Sequence, residues 1–202
     1  MFKQAFTGFV VAALAHSADA AVVVTSNQTL WNAGVAGFGG VVETETFNGI
    51  ANGFYTSPFA GSTASVAWMA AAAGGIYAQD GLFSTNNPEP LHFSFTPGVR
   101  AVAGNFFGTD VNFGNVTVVF ELALSNGTVV EGIASDPTSF TGFRTTSAAE
   151  TISSLTLTVL NASGSAQVYP TVDNLYFGVV PAPGAIALLG AAGLAANRRR
   201  RD

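Results

Sequence analysis

Hydrophobic and polar residues alternate along several stretches of the chain with the two-residue period of a strand that buries one face. The clearest run is Leu91–Phe95, in which Leu91, Phe93 and Phe95 face inward and His92 faces outward. Strands are predicted over these runs or short apolar segments: Val41–Phe47, Leu91–Phe95, Val99–Phe107, Val116–Leu124, Thr128–Ala134, Phe140–Phe143, Ile152–Leu160 and Gln167–Gly178.

Turn signals separate these runs at the spacing of an antiparallel sheet. Asn126-Gly127 lies between two alternating runs and is the strongest hairpin signal in the chain. Thr25–Gly40 is predicted to be a loop or a short helix around Leu30 and Trp31, and Thr63–Ala72 fits either a strand or a helix. Eight or nine strands without βαβ alternation predict an all-β, antiparallel β-sandwich. Its predicted core contains Phe93, Phe95, Val118, Phe120, Leu155, Leu157 and Phe177.

The first twenty residues have the pattern of a secretory signal peptide. A basic start at Lys3 precedes a mostly apolar run from Ala5 to Ala15, and Ala18-Asp19-Ala20 is a small-x-small cleavage pattern. The predicted division is a signal peptide over 1–20, a β-sandwich domain over 21–178 and a separate C-terminal segment over 179–202.

The C-terminal segment contains three consecutive blocks. The residues Val180, Pro181, Ala182 and Pro183 cannot form a helix interior, because each proline lacks an N–H. An apolar stretch follows from Gly184 to Ala196, and it predicts a short hydrophobic helix below the roughly 17–25 residues of an ordinary membrane span. The arginine cluster consists of Arg198, Arg199, Arg200 and Arg201, which the positive-inside rule places at the cytoplasmic face.

This order of blocks resembles the PEP-CTERM sorting signal of exported bacterial proteins, with Pro181-Ala182-Pro183 where the signature has Pro-Glu-Pro. The resemblance covers Val180 to Arg201. It implies passage through the secretion translocon, transient anchoring in the inner membrane, recognition by an exosortase-type sorting enzyme, and release to the cell surface or the extracellular matrix.

Charge and composition exclude some classes of binding partner for residues 21–178, the body of the protein. Residues 21–178 contain two basic residues against ten acidic ones, a formal net charge of −8, and the chain has no cysteine. An acidic surface without lysine argues against nucleic-acid binding. Without disulfides, the body is held by packing and strand pairing, or with help from a metal ion.

The half from Val99 to Gly178 resembles the jelly-roll β-sandwich of carbohydrate-binding modules, through Gly104–Phe107, the Asn126-Gly127 hairpin, Phe140–Phe143, Ile152–Leu157 and Val172–Gly178. The resemblance implies a structural calcium ion in many members and glycan binding in some. It places a calcium ligand at Asp173, in the last predicted strand. Glu45 in an early strand is the expected second ligand, with loop carbonyls near Asn48 and Gly49. The alternative is that Asp173 caps a turn by accepting backbone N–H groups.

Few residues of the body predict catalysis. His92 is its only histidine and has no nucleophile motif nearby, and Glu43 and Glu45 on one side of a strand are more typical of a solvated face than of a glycosidase pair. Aromatic residues that could stack on sugars are Trp31, Tyr55, Trp68, Tyr77 and Tyr169.

We therefore expect a non-enzymatic surface or matrix protein, structural or glycan-binding, with extracellular polysaccharide as its partner. A small secreted, glycosidase-like hydrolase of the sandwich class is the alternative.

Overall fold

The computed structural model describes residues 22–162 and 167–181, although not the side chains of 161 and 162. The predicted signal peptide over 1–20 and the predicted sorting signal from Ala182 onward lie outside the described residues. Within them the chain forms one helix, α1 (Gln28–Gly37), and fifteen strands. The strands are β1 (Val22–Thr25), β2 (Val41–Glu45), β3 (Gly53–Tyr55), β4 (Phe59–Ser62), β5 (Ala67–Ala71), β6 (Ile76–Gln79), β7 (Leu82–Thr85), β8 (Leu91–Phe95), β9 (Val99–Thr109), β10 (Asn115–Val116), β11 (Val118–Leu124), β12 (Val129–Ala134), β13 (Phe140–Thr145), β14 (Ser154–Ala162) and β15 (Tyr169–Val179).

The strands form two antiparallel sheets. The nine-stranded sheet has the order β1-β13-β9-β15-β7-β6-β3, with β10 beside β9 and β2 beside β15. The six-stranded sheet has the order β12-β11-β14-β8-β5-β4. The long last strand β15 pairs with β9 along one edge and with β2 and β7 along the other, so it lies at the centre of the larger sheet.

The inner faces of the two sheets share one hydrophobic core. All seven residues that the alternation predicts to be in the core are buried in it, which confirms the sandwich-like all-β prediction. Burial of this apolar area is the main stabilising contribution in a chain without cysteine. The Asn126-Gly127 hairpin is also confirmed, because β11 and β12 pair directly on either side of it and Gly127 has φ +84°.

The helix α1 covers part of the outer face of the nine-stranded sheet. Asn27 caps it, since its side chain accepts a hydrogen bond from the N–H of Leu30 at 3.0 Å. Trp31 and Val35 are the buried residues of the helix. They pack in a second, smaller core with Ala101, Ala103, Phe140, Phe38 and Tyr176. The rest of this outer face has no helix over it among the described residues.

The structure differs from the sequence prediction in the number of strands and in the orientation of β2. Several short strands rich in glycine, alanine and serine, such as β4, show no clear alternation of hydrophobic and polar residues. In β2 the burial pattern is the reverse of the predicted one. Val41 is 46% exposed and Val42 is 39% exposed, whereas Glu43 and Glu45 are half-buried. No helix of the described part of the chain is long and apolar enough to cross a membrane.

Candidate ligand-binding cleft

An open cleft lies on the outer face of the nine-stranded sheet, where α1 does not cover it. The cleft has a volume of ≈ 200 Å³, and three aromatic side chains, Tyr77, Phe113 and Tyr169, line it. Tyr77 faces outward because its neighbours on β6, Ile76 and Ala78, are buried in the core on the opposite face. The volume is below the roughly 300–1,000 Å³ of pockets for drug-sized ligands, so the cleft suits one small ring rather than a cofactor.

A short loop between β9 and β10 forms one wall of the cleft. Asp110 organises this loop: its carboxylate Oδ1 accepts the N–H groups of Asn112 and Gly114, both at 2.8 Å. The N–H of Asp110 in turn donates to the carbonyl of Gly114 at 2.9 Å, which closes the loop at its base. The loop is therefore held by its own hydrogen bonds, as in the turns that aspartate favours.

The conformation of Phe113 is unusual in this loop. Its φ is +61°, in the left-handed region that costs a residue with a Cβ roughly 1–2 kcal/mol. The strained backbone directs its ring to Tyr77, with ring centroids 5.6 Å apart. Backbone strain at a bulky residue, where glycine would be relaxed, is a reason to suspect a function for the side chain.

The floor of the cleft contains the buried hydroxyl groups of Ser84 and Thr109, and the hydroxyl of Thr171, on the strand between theirs, joins the two. The hydroxyl of Thr171 on β15 lies 2.8 Å from that of Thr109 on β9 and donates to that of Ser84 on β7 at 2.9 Å. Ser84 donates to the carbonyl of Pro170 at 3.1 Å. The floor is thus a hydrogen-bonded network that keeps the three strands in register below the aromatic rings.

Polar side chains complete the rim. Gln79 and Asn86 line the cleft with amide groups, which both donate and accept hydrogen bonds, and Asp110 contributes its carboxylate. Aromatic faces beside amides can bind a molecule that has apolar C–H faces and hydroxyl groups at its edge.

Of the five aromatic residues that the sequence offers for stacking, two line the cleft. Tyr77 and Tyr169 do so, whereas Trp31 and Trp68 are buried and Tyr55 packs against Phe59. Sequence reasoning missed Phe113, because it lies in a loop rich in turn residues. An aromatic residue between Asp110 and Gly114 is the signal that could have revealed it.

Glu43 and Glu45 do not form the solvated face that their spacing indicates. The carboxylate of Glu43 accepts hydrogen bonds from the hydroxyl of Thr63 and from both the hydroxyl and the N–H of Ser65. Glu45 accepts the indole N–H of Trp68 at 3.1 Å and the N–H of Phe47 at 2.8 Å. Apart from Phe47, these donors lie on β5 or in the turn before it, so the two glutamates connect the sheets. These bonds are the physical reason why the glutamates of β2 face inward.

The predicted calcium ligands Glu45 and Asp173 lie on two paired strands but contact different residues. Glu45 pairs with Leu175, two residues after Asp173, so the expected pairing of the two strands is present. Glu45 faces Trp68 in the core, whereas Asp173 lies beside Tyr176, which packs against Trp31 of the helix.

Burial raises the pKa of Asp173, and a hydrogen bond with the side chain of Asn174 partly offsets this effect. Within residues 22–162 and 167–181 no group of three or more acidic, histidine or cysteine side chains could hold a metal ion. Glu45 and Asp173 thus have different neighbours in the structure, and calcium binding at these residues stays a prediction.

His92, the histidine considered for catalysis, lies on the six-stranded sheet, as do the acidic residues Glu121 and Glu131. His92 is exposed on β8, and its Nδ1 lies 2.9 Å from the hydroxyl of Thr156. Glu121 and Glu131 oppose each other directly across β11 and β12. None of these three residues lines the cleft.

Comparison of the chain with protein-family models, with curated proteins and with solved structures returns no match. The chemistry of the cleft is therefore the basis for an assignment.

Proposed function

We propose that this chain is an exported bacterial surface or matrix protein whose β-sandwich binds glycans, without catalysis, in the cleft beside Tyr77. The observation that carries the proposal is the combination of three aromatic rings with amide groups over a hydrogen-bonded floor. Sugars present apolar C–H faces and hydroxyl edges, and a small open cleft of this composition matches both.

The fixed geometry of the cleft supports binding. Phe113 is held by a loop that is closed by its own hydrogen bonds, and Tyr77 is on a paired strand, so neither has to be ordered when a ligand arrives. Preorganised contacts of this kind lower the entropic cost of association. The jelly-roll-like arrangement that the second half of the sequence resembles is part of the same proposal.

The positions at which the first described strand begins and the last one ends are compatible with sorting and release. The last strand β15 ends at Val179, and Val180 after it is exposed. Cleavage near Pro181–Pro183 would leave every described strand in the mature protein, as would removal of residues 1–20 before β1. The translocon and an exosortase-type enzyme are the proposed partners for these steps.

Two measurements test the proposal. Isothermal titration of the mature body with a panel of oligosaccharides should show saturable binding that Tyr77→Ala abolishes and Ile133→Ala, on the exposed face of the other sheet, leaves unchanged. Equal binding by both variants would contradict the cleft as the site.

Intact-mass measurement on secreted protein should find a chain of about Ala21 to Val180, as the cleavage pattern predicts. A secreted species that still contains Arg198–Arg201 would contradict the sorting proposal.

The hydrolase alternative requires two carboxylates on either side of the glycosidic bond, at roughly 5–9.5 Å from each other. Asp110 is the one carboxylate among the described residues that line the cleft, and its Oδ1 accepts two backbone N–H groups. We therefore expect oligosaccharides to be recovered intact after the titration. Cleavage products in that mixture would favour the hydrolase.

A further inference from the structure

Phe54 lies on the outer face of the nine-stranded sheet next to the cleft, without lining it. It is 54% exposed, and on the neighbouring strand it is the direct partner of Tyr77. Paired residues of antiparallel strands point to the same face, so Phe54 and Tyr77 both face away from the core.

The ring of Phe54 has a fixed position. A β-carbon at Gly75 would lie 2.5 Å from its Cε2, so the ring lies directly on the backbone of this glycine. Gly75 has φ +91°, a conformation that glycine adopts without strain. The adjacent Gly74 donates its N–H to the carboxylate of Glu89, which anchors the turn below the ring.

Asn86 connects this ring with the cleft. Its side chain lines the cleft, its N–H donates to the carbonyl of Gly75 at 3.0 Å, and its amide Nδ2 donates to the carbonyl of Gly74 at 3.2 Å. The aromatic surface therefore continues from Phe113 and Tyr77, past Asn86, to Phe54.

The charges around this surface have one sign. Asp110 lines the cleft and Glu89 binds the turn below Phe54, so both acidic side chains adjoin the surface. The two arginines of the body lie by the helix instead: Arg100 is placed over the ring of Phe38 at 4.4 Å, and Arg144 packs against Gly34. Among the described residues, a ligand with carboxylate or sulfate groups would therefore meet acidic side chains at this surface without a compensating cation.

We infer that the cleft and Phe54 are two adjacent subsites for consecutive sugar residues of an uncharged, linear polysaccharide. The inference rests on the proposed glycan binding and adds to it the ligand class and a second subsite. The first sugar residue lies between Tyr77, Phe113 and Tyr169, and the next one stacks on Phe54, with Asn86 between them.

The experiment compares neutral gluco-oligosaccharides of one to four residues in isothermal titrations against the wild type, Phe54→Ala, Phe54→Tyr and Ile133→Ala. In the wild type, affinity should rise about three- to tenfold from one sugar residue to two, which corresponds to the free energy that one aromatic contact contributes. Phe54→Ala should lose this rise and keep the affinity for the single residue, Phe54→Tyr should restore it, and Ile133→Ala should match the wild type.

The outcomes separate the two proposals. If Phe54→Ala shows the same gain with length as the wild type, the second subsite is wrong although the cleft still binds. If no oligosaccharide binds the wild type, the proposed function itself fails. An oligogalacturonate of equal length should bind more weakly, with a difference that shrinks as salt screens the charges. Tighter binding of this acidic oligomer would overturn the assignment of an uncharged ligand.

Discussion

Replacing Glu43 by glutamine tests whether the acidic residues of β2 hold the two sheets together. The carboxylate accepts three hydrogen bonds from Thr63 and Ser65, one of them from the N–H of Ser65 at 2.9 Å. Hydrogen bonds to a charged group contribute about 1.5–3 kcal/mol each when buried. Glu43 is half-exposed and glutamine keeps one acceptor oxygen, so we expect a total loss of about 1–2 kcal/mol in the free energy of unfolding. For a domain of roughly 150–250 residues, each kcal/mol lowers Tm by about 2–4 °C.

The loss should depend on pH in a defined direction. Burial by itself would raise the pKa of Glu43, but the hydrogen bonds from Ser65 and Thr63 outweigh it and hold the pKa below its ordinary value of 4.5. A carboxylate whose folded-state pKa is lowered contributes stability that is complete above the unfolded pKa and disappears as pH falls through the folded pKa. The difference in Tm between wild type and Glu43→Gln should therefore be full at pH 7 and should shrink as the pH falls below 4.5.

Thermal unfolding followed by circular dichroism at several pH values measures this difference. Glu131→Gln is the matched control, because Glu131 is an exposed glutamate directly opposite Glu121. Removing one of two like charges should raise stability by about 0.2–1 kcal/mol, the opposite sign. Equal melting of wild type and Glu43→Gln at pH 7, or a difference that does not shrink as the protein is acidified below pH 4.5, would refute the reasoning.

The remaining predictions concern the core, the cleft loop and calcium. Leu157→Ala removes a fully buried side chain and should cost about 2–5 kcal/mol in denaturant unfolding, whereas Leu160→Ala, on the same strand and 47% exposed, should stay within about 0.5 kcal/mol. Phe113→Gly should change the free energy of unfolding by less than about 1 kcal/mol, because relief of the left-handed conformation offsets the flexibility of glycine. The same variant should bind glycans more weakly than the wild type. A loss of stability together with the loss of binding would contradict a binding role for the ring. Asp173→Asn should raise Tm at pH 7, since burial raises the pKa of Asp173 and so the ionised form lowers stability above that pKa. If Asp173 instead binds calcium, the wild type should melt higher with calcium than with chelator, and equal melting in both buffers would leave no support for the metal site.

Local patterns were sufficient to predict the regular part of the fold. The β8 strand begins and ends where the alternation of Leu91–Phe95 does, and the hairpin of β11 and β12 forms around Asn126-Gly127. Alternation predicts strands well because a shift of one residue in strand pairing would move a whole row of apolar side chains into solvent. Short strands such as β3 and β4 lacked this signal, since three or four residues are too few to repeat an alternation of hydrophobic and polar positions.

Glu43 and Glu45 show why a pattern can predict a strand but assign its faces wrongly. The alternation of valine, glutamate and threonine correctly predicts β2, but hydropathy assigns its glutamates to solvent. Their hydrogen-bond donors, Ser65 and the indole of Trp68, are more than twenty positions away in sequence. Charged groups are buried in part only when such partners exist, and partners that distant are set by the tertiary fold.

The candidate cleft depends on the same kind of distant arrangement. Tyr77, Phe113 and Tyr169 come from β6, the loop after β9 and the start of β15, and no local pattern relates them. They converge because β15 pairs with both β9 and β7, which places the strand ends of the large sheet side by side. Since α1 covers the outer face only around Trp31 and Tyr176, the uncovered part of that face is where aromatic side chains stay accessible to a ligand. The position of α1 thus decides which aromatic residues of this face stabilise the fold and which are available to bind.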